Sequence, residues 1–182
     1  MRALVLADTH LRPERGRGLP DAVEAELRRC DAVLHAGDVV TADLLDHMRQ
    51  HAPVHAVLGN NDHTLRGLLP ERLELDLDGV PVALVHDSGP TAGRAARLRR
   101  WFPRAQVVVF GHSHQPEAEW FDGQLRFNPG SPVERRRAPS HTYGVLHLEQ
   151  GRVVRHEIVA CGPPIATRVS SSGSSRRPRA SG

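Results

Sequence analysis

Two aspartates, one asparagine and four histidines follow apolar runs along this chain. They are Asp8 and His10 in Asp8-Thr9-His10, Asp38 in Gly37-Asp38, Asn60 in Gly59-Asn60-Asn61-Asp62, His86 after the run 80–85, and His112 and His114 in Gly111-His112-Ser113-His114. Carboxylate, amide and imidazole are hard or borderline donors, and no thiolate accompanies them. The set therefore suits Mn²⁺, Fe²⁺, Ni²⁺, Zn²⁺ or, less tightly, Mg²⁺ rather than a soft metal. Residues two apart on an extended segment face the same side. Asp8 with His10, and His112 with His114, thus read as pairs able to hold a cation. Asp38 has two carboxylate oxygens and can bridge two ions. A two-metal centre of this kind attacks phosphate esters. The remaining histidines read as structural, with His35, close to Asp38, the least clear of them.

Such residues need a scaffold that delivers strand ends to one cleft. Strands at 2–7, 31–36 and 54–58 alternate with helical patterns at 21–29 and 42–50, and Pro20 suits the first turn of a helix. A β-α-β-α-β rhythm implies a parallel sheet. The second half differs. Asp78-Gly79 joins runs at Arg72–Leu77 and Val80–Val85, Asp122-Gly123 joins 117–121 to 124–127, and Gln150-Gly151 joins 142–148 to 152–159, each a hairpin signal. A helix at 92–101 and a strand at 106–110 lie between the first two hairpins. A parallel beginning followed by hairpins predicts an α/β fold with two sheets packed together and helices outside.

At 182 residues and 39% hydrophobic, the chain is sized for one domain with its own core. The expected division is a domain over 1–161 and a disordered Ser/Gly/Arg/Pro-rich tail over 162–182. No run approaches a membrane span, and the start turns acidic too soon for a signal peptide. Cys30 and Cys161 lie far apart without metal-site spacing. A cytoplasmic protein is the expectation. All 24 basic residues are arginine, which reads as a codon bias. With a net charge of +3 and 4% aromatics there is little sign of a nucleic-acid surface.

The ordered set Asp8-x-His10, Gly37-Asp38, Gly59-Asn60-x-Asp62, His86 and Gly111-His112-x-His114 resembles the calcineurin-like metallophosphoesterases. The length and the segment Asn128-Pro129-Gly130-Ser131 resemble their small YfcE-like branch. The resemblance covers roughly residues 1–159 and implies a four-layer α-β-β-α sandwich of two mixed sheets. Carried over by position, it implies that Asp8, His10, Asp38 and His114 hold one divalent ion, and that Asp38, Asn60, His86 and His112 hold another. Mn²⁺ is favoured. The implied activity is phosphoester hydrolysis, of phosphodiesters above all, by a metal-activated hydroxide. His10 is then a candidate proton shuttle, Asn60 a donor to a phosphoryl oxygen, and Asp62 a support for the ligands. Three positions depart from the pattern. Asn61 stands where larger relatives carry a proton-donating histidine, Asp87 follows His86 where many have glycine, and Leu11 replaces the usual glycine after His10.

The expected partner is a small phosphate ester. A nuclease, or a protein-binding scaffold like the retromer subunit that resembles this branch, is the alternative. Neither a membrane nor a nucleic acid is expected as a partner, and self-association as a homo-oligomer stays open. Arg12, in a group with Arg15 and Arg17, and Arg135, in Arg135-Arg136-Arg137, are candidate anchors for phosphate because guanidinium groups bind it bidentately.

Overall fold

In the computed structural model of the chain, residues 1–12 and 16–162 are described. The tail 163–182 and Arg15 lie outside them. Alternation along β1 (Arg2–Leu6) sets up the layers: Ala3 and Val5 face one side, Leu4 and Leu6 the other, and all four are fully buried. A strand buried on both faces must lie inside a layered structure.

Two five-stranded sheets result. The first runs β10-β9-β1-β2-β3, with β2 (Ala32–His35) and β3 (Val54–Ala56) parallel to β1, and with β9 (His141–Glu149) and β10 (Arg152–Cys161) added antiparallel. The second runs β4-β5-β6-β8-β7. Its middle, β5 (Val80–Val85), β6 (Val107–Val109) and β8 (Gln124–Asn128), is parallel, while β4 (Arg72–Leu77) and β7 (Glu117–Phe121) form antiparallel edges. Three apolar clusters separate four layers. Val23 and Leu27 of α1 (Asp21–Leu27) and Leu44, Leu45 and Met48 of α2 (Ala42–Arg49) cover the outer face of the first sheet. Ala3, Val5, Leu34, Leu84, Val107 and Phe127 fill the space between the sheets. Leu98 of α3 (Arg94–Trp101) and Phe102 cover the second sheet at Ala83, Val108 and Phe110. The expected α-β-β-α sandwich is the architecture observed.

Several expected boundaries move. Strand β3 stops at Ala56 and β6 at Val109, because the residues that follow turn into loops that carry polar side chains. Helix α3 begins at Arg94, after Gly93 in the left-handed region (φ 70°), and Pro20 is the N-cap of α1 rather than part of its first turn. No helix among the described residues is long and apolar enough to cross a membrane.

One glycine is required by packing between the sheets. A Cβ on Gly144 of β9 would lie 2.3 Å from Cε1 of Phe127 and 3.1 Å from Cβ of Val5. Gly144→Ala should therefore force Phe127 off its rotamer and destabilise the fold by about 1–3 kcal/mol, read as a lowered denaturation midpoint with an unchanged slope.

His35 ends β2 wholly buried, with Nε2 3.1 Å from Thr9 Oγ1. Burial lowers its pKa to about 3. The unfolded chain protonates this ring near pH 6.5 while the folded chain does not. The stability that rests on neutral His35 is therefore complete above about pH 6.5 and is lost as pH falls toward the folded value. Denaturation at a series of pH values should show the unfolding free energy dropping by a few kcal/mol (roughly 1.4 per pH unit at most from this one ring) between pH 6.5 and 4. His35→Gln should flatten that slope.

Candidate metal centre

The loops after β1, β2, β3, β5 and β6 meet at one end of the two sheets. Hydrogen bonds between them hold each ligand-type residue in place. Asp8 N–H donates to Gly37 O at 3.0 Å, His10 N–H to Asp38 O at 3.0 Å, and Gly111 N–H to His86 O at 3.0 Å. Ser131 Oγ donates to Asp8 O at 2.7 Å, and Asn128 Nδ2 donates to Gly111 O and to Ser113 Oγ, both at 3.1 Å.

The backbone between paired residues is not extended. Asp8, His10, Asp38, His112 and His114 all have positive φ, from 46° to 68°, a region that costs a non-glycine residue of the order of 1–3 kcal/mol. The side-by-side geometry expected for residues two apart is therefore incorrect. Asp8 and His10 do reach the same cluster, by way of left-handed turns. His112 and His114 also sit in left-handed turns but diverge, His112 Nδ1 lying by Asn60 and His114 Nε2 by His10 and Asp8.

In one half, His10 Nε2 and His114 Nε2 stand 3.3 Å apart, their rings stacked with centroids at 5.2 Å, and Asp8 Oδ1 is 3.5 Å from His114 Nε2. In the other, Asn60 Oδ1 is 3.0 Å from both His86 Nε2 and His112 Nδ1. Asp38 lies between the halves, its Oδ2 3.4 Å from His10 Nε2 and 3.5 Å from His86 Nε2. Asp8, His10 and His114 make one compact donor group, and Asp8, Asp38 and His86 another.

The proton positions decide what this arrangement can hold. His86 Nδ1 donates to Ala36 O at 2.8 Å and His114 Nδ1 donates to Glu134 O, so each Nε2 presents a lone pair to the centre. His86 Nε2 therefore faces the acceptor oxygens of Asn60 and Asp38 with no proton between them. Asp8 Oδ2 is buried without a hydrogen-bond partner. Burial raises the Asp8 carboxyl well above the ordinary carboxylate range, and the charge of Asp38 adds to the rise. Asp38 itself is held below that range: burial pushes it up, but His86, the Asn61 donors and His10 outweigh burial. Burial lowers His10 and His86, and takes His114 to about 4. Converging lone pairs, neutral imidazoles and an orphaned carboxylate oxygen fit a divalent cation.

Asp62 is 1% exposed and acts on backbone amides, that of the donor residue Asp38 among them. Its Oδ2 accepts from Asp38 N–H at 2.9 Å and Gly59 N–H at 2.7 Å, and its Oδ1 accepts from Val40 N–H at 2.7 Å. It ties the second and third loops together. Gly59 is required there, since a Cβ would stand 2.2 Å from Asp38 N and Oδ1. Asn61 is missed by reasoning from residue type. Its N–H and Nδ2 donate to Asp38 Oδ1 and Oδ2, both at 2.8 Å, and so orient the carboxylate. The sequence marked it only as the place where larger relatives carry histidine, which gave no hint of this role.

A cavity of about 650 Å³ opens beside Asn60, His86 and His112 and is also lined by Arg66, Glu71, Arg72 and Asp87. Neither candidate phosphate anchor lies there. Arg12 lines a separate cavity with Leu19 and Leu44, and Arg135 donates to Ala138 O at 2.7 Å. The neighbouring Arg136 instead acts electrostatically on Asp8, His10 and His114.

Comparison with known proteins agrees with this geometry. The model of the calcineurin-like phosphoesterase superfamily domain matches residues 1–151. A probable metallophosphoesterase of Methanothermobacter thermautotrophicus is 33% identical over 164 residues, covering 88% of this chain and 93% of that protein. Vps29 of Entamoeba histolytica complexed with Zn²⁺ has a TM-score of 0.69 at 24% identity, over 88% of this chain and 99% of that one. An archaeal phosphodiesterase has a TM-score of 0.66 at 19% identity, over 87% of this chain and all (100%) of that one. The last two share the fold. With a family model spanning most of its length and a relative at this level of identity, the chain belongs to the calcineurin-like phosphoesterase superfamily.

Proposed function

We propose that the protein is a two-metal phosphodiesterase. The observation that carries this reading is the position of Asp38, whose Oδ2 stands between His10 and His86 at nearly equal distances. Asp8, His10, Asp38 and His114 would hold one ion, and Asp38, Asn60, His86 and His112 the second, with Mn²⁺ favoured and Fe²⁺, Ni²⁺, Zn²⁺ or Mg²⁺ also compatible with the donors. Bound there, the cations supply Lewis acidity toward a phosphoryl oxygen and a lowered pKa for water.

The chain's own residues do the rest. Asn61 and the loop hydrogen bonds fix Asp38 before substrate arrives, so no reorganisation is needed on binding. Asn60 directs its Oδ1 at His86 and His112, which leaves its amide N–H groups to donate to a phosphoryl oxygen. His10 is the imidazole beside Asp38 placed to accept or return a proton, and Asp62 positions the loops. The cavity beside the centre favours a small substrate over a nucleic acid, because Glu71 and Asp87 line it with Arg66 and Arg72. A polyanion would meet both carboxylates. Arg72 is also engaged, its guanidinium 4.2 Å over the Trp101 ring, so Arg66 is the better placed to meet an anionic group of the substrate.

Two measurements test this reading. Asp38→Asn should abolish hydrolysis of bis-p-nitrophenyl phosphate and lower bound metal by more than one equivalent, measured by elemental analysis. Full metal retention would remove the bridging role. The second concerns the leaving group. Asn61 has no proton to give an alkoxide, and a proton donor typically contributes about 10²–10⁴-fold. Rates across a series of aryl and alkyl phosphodiesters should fall steeply with leaving-group pKa, and Asn61→His should raise the slow alkyl members relative to the aryl ones, since loss of the Nδ2 bond to Asp38 lowers both alike. A flat series in the wild type would mean that another residue already donates.

A further inference from the structure

We infer that the protein has a second, separate metal site on its outer helices, formed by Glu24, His47 and His51 and selective for a borderline cation of the Zn²⁺ class. Glu24 lies in α1, His47 in α2, and His51 just beyond the end of α2. One donor atom from each lies within 4.8 Å of the others. None of the three belongs to the centre between the sheets.

The local sequence explains the convergence. His47 and His51 are four apart, one helical turn, a spacing that stacks two imidazoles on one face. Their ring centroids are 5.5 Å apart at 78°, edge to face, so both nitrogens can address one point without the rings colliding. Glu24 comes from the neighbouring helix and places both carboxylate oxygens at His47 Nε2, at 2.9 Å and 3.1 Å. A carboxylate paired with one imidazole would be an ordinary ion pair. The second imidazole completes the three-ligand His₂Glu set that zinc takes with a fourth position left for water or another ligand. His51 is exposed and lies past the helix end, with a ring nitrogen inside the same 4.8 Å group.

The surroundings indicate which cation. Glu24 and His47 also line a cavity of about 320 Å³ that contains Asp43, Arg12 and Arg17. Two carboxylates and two guanidinium groups leave no net field to attract a hard ion such as Mg²⁺ or Ca²⁺. Selection then rests on imidazole coordination, which favours Zn²⁺, Ni²⁺ or Cu²⁺. Glu24 is about one-fifth exposed and His47 two-fifths, so the site is reachable from solvent. An ion there would cross-link α1 to α2, the two helices on the outer face of the first sheet. The loops leading into these helices carry His10 and Asp38.

Equilibrium dialysis of the full chain against Zn²⁺, with elemental analysis, tests the site beside thermal unfolding and turnover. The wild type should bind one equivalent more than His51→Gln, or bind it at least about tenfold more tightly. Zinc should raise the unfolding temperature of the wild type by more than that of the variant. Glu24→Gln should behave like His51→Gln, and both should keep hydrolytic turnover, which separates this site from a failure of the centre at Asp38. Equal zinc content, affinity and thermal response in the wild type and both variants would overturn the assignment. So would loss of zinc in His47→Gln alone.

Discussion

Electron-pair donors forced together with no proton between them are the constraint around which this molecule is arranged. His86 has committed its only ring proton to Ala36 O, and His114 has committed its own to Glu134 O. Their other nitrogens, the Asn60 oxygen and the carboxylates of Asp8 and Asp38 then face one another across a few ångströms, with Asp8, Asp38, His86 and His114 buried and Asn60 at the exposed rim. Each of these groups is costly to bury unpaired. A divalent cation turns the same convergence from repulsion into coordination. Neutral imidazoles at low pKa are also what a metal requires, since it competes with protons for the same lone pairs.

The scaffold supplies this convergence by spending ordinary packing on the two flanks and the middle. Three apolar layers fix the ends of β1, β2, β5 and β6, and hydrogen bonds between the loops beyond them draw those loops together. Strain is then concentrated where it is useful. Five of the donor residues sit in left-handed backbone conformations, and the hydrogen bonds that hold them there run between loops rather than within them. Asp62, Asn61, Asn128 and Ser131 carry much of that bracing.

The layer order and the donor residues were legible in the sequence for different reasons. The β-α-β-α-β rhythm of the first half and the Asp-Gly turns at 78–79 and 122–123 report local structure, and local structure determined the two sheets. The donors were visible because charged and imidazole side chains directly after buried runs have no bland explanation when they recur at five strand ends. The geometry between them was not visible. Spacing alone sent His112 and His114 to the same side, whereas they lie in opposite halves. Backbone sign is a tertiary outcome here, enforced by partners such as Asn128 that are distant in sequence. The arginines failed for a related reason. Arg135 and Arg136 are adjacent and identical in type, yet Arg135 donates to Ala138 O while Arg136, in a left-handed turn (φ 47°), acts on the centre.

The three amides gathered by Asp62 have a consequence for the history of such a fold. They are held by a carboxylate that binds the backbone N–H of Asp38 and not its side chain, so this bracing uses no atom that would coordinate an ion. A lineage could exchange His10, His112 or Asn60 for inert residues, one at a time, and keep the same rigid rim. The chemistry can therefore be lost without the surface, and a new partner could select that surface after catalysis has gone.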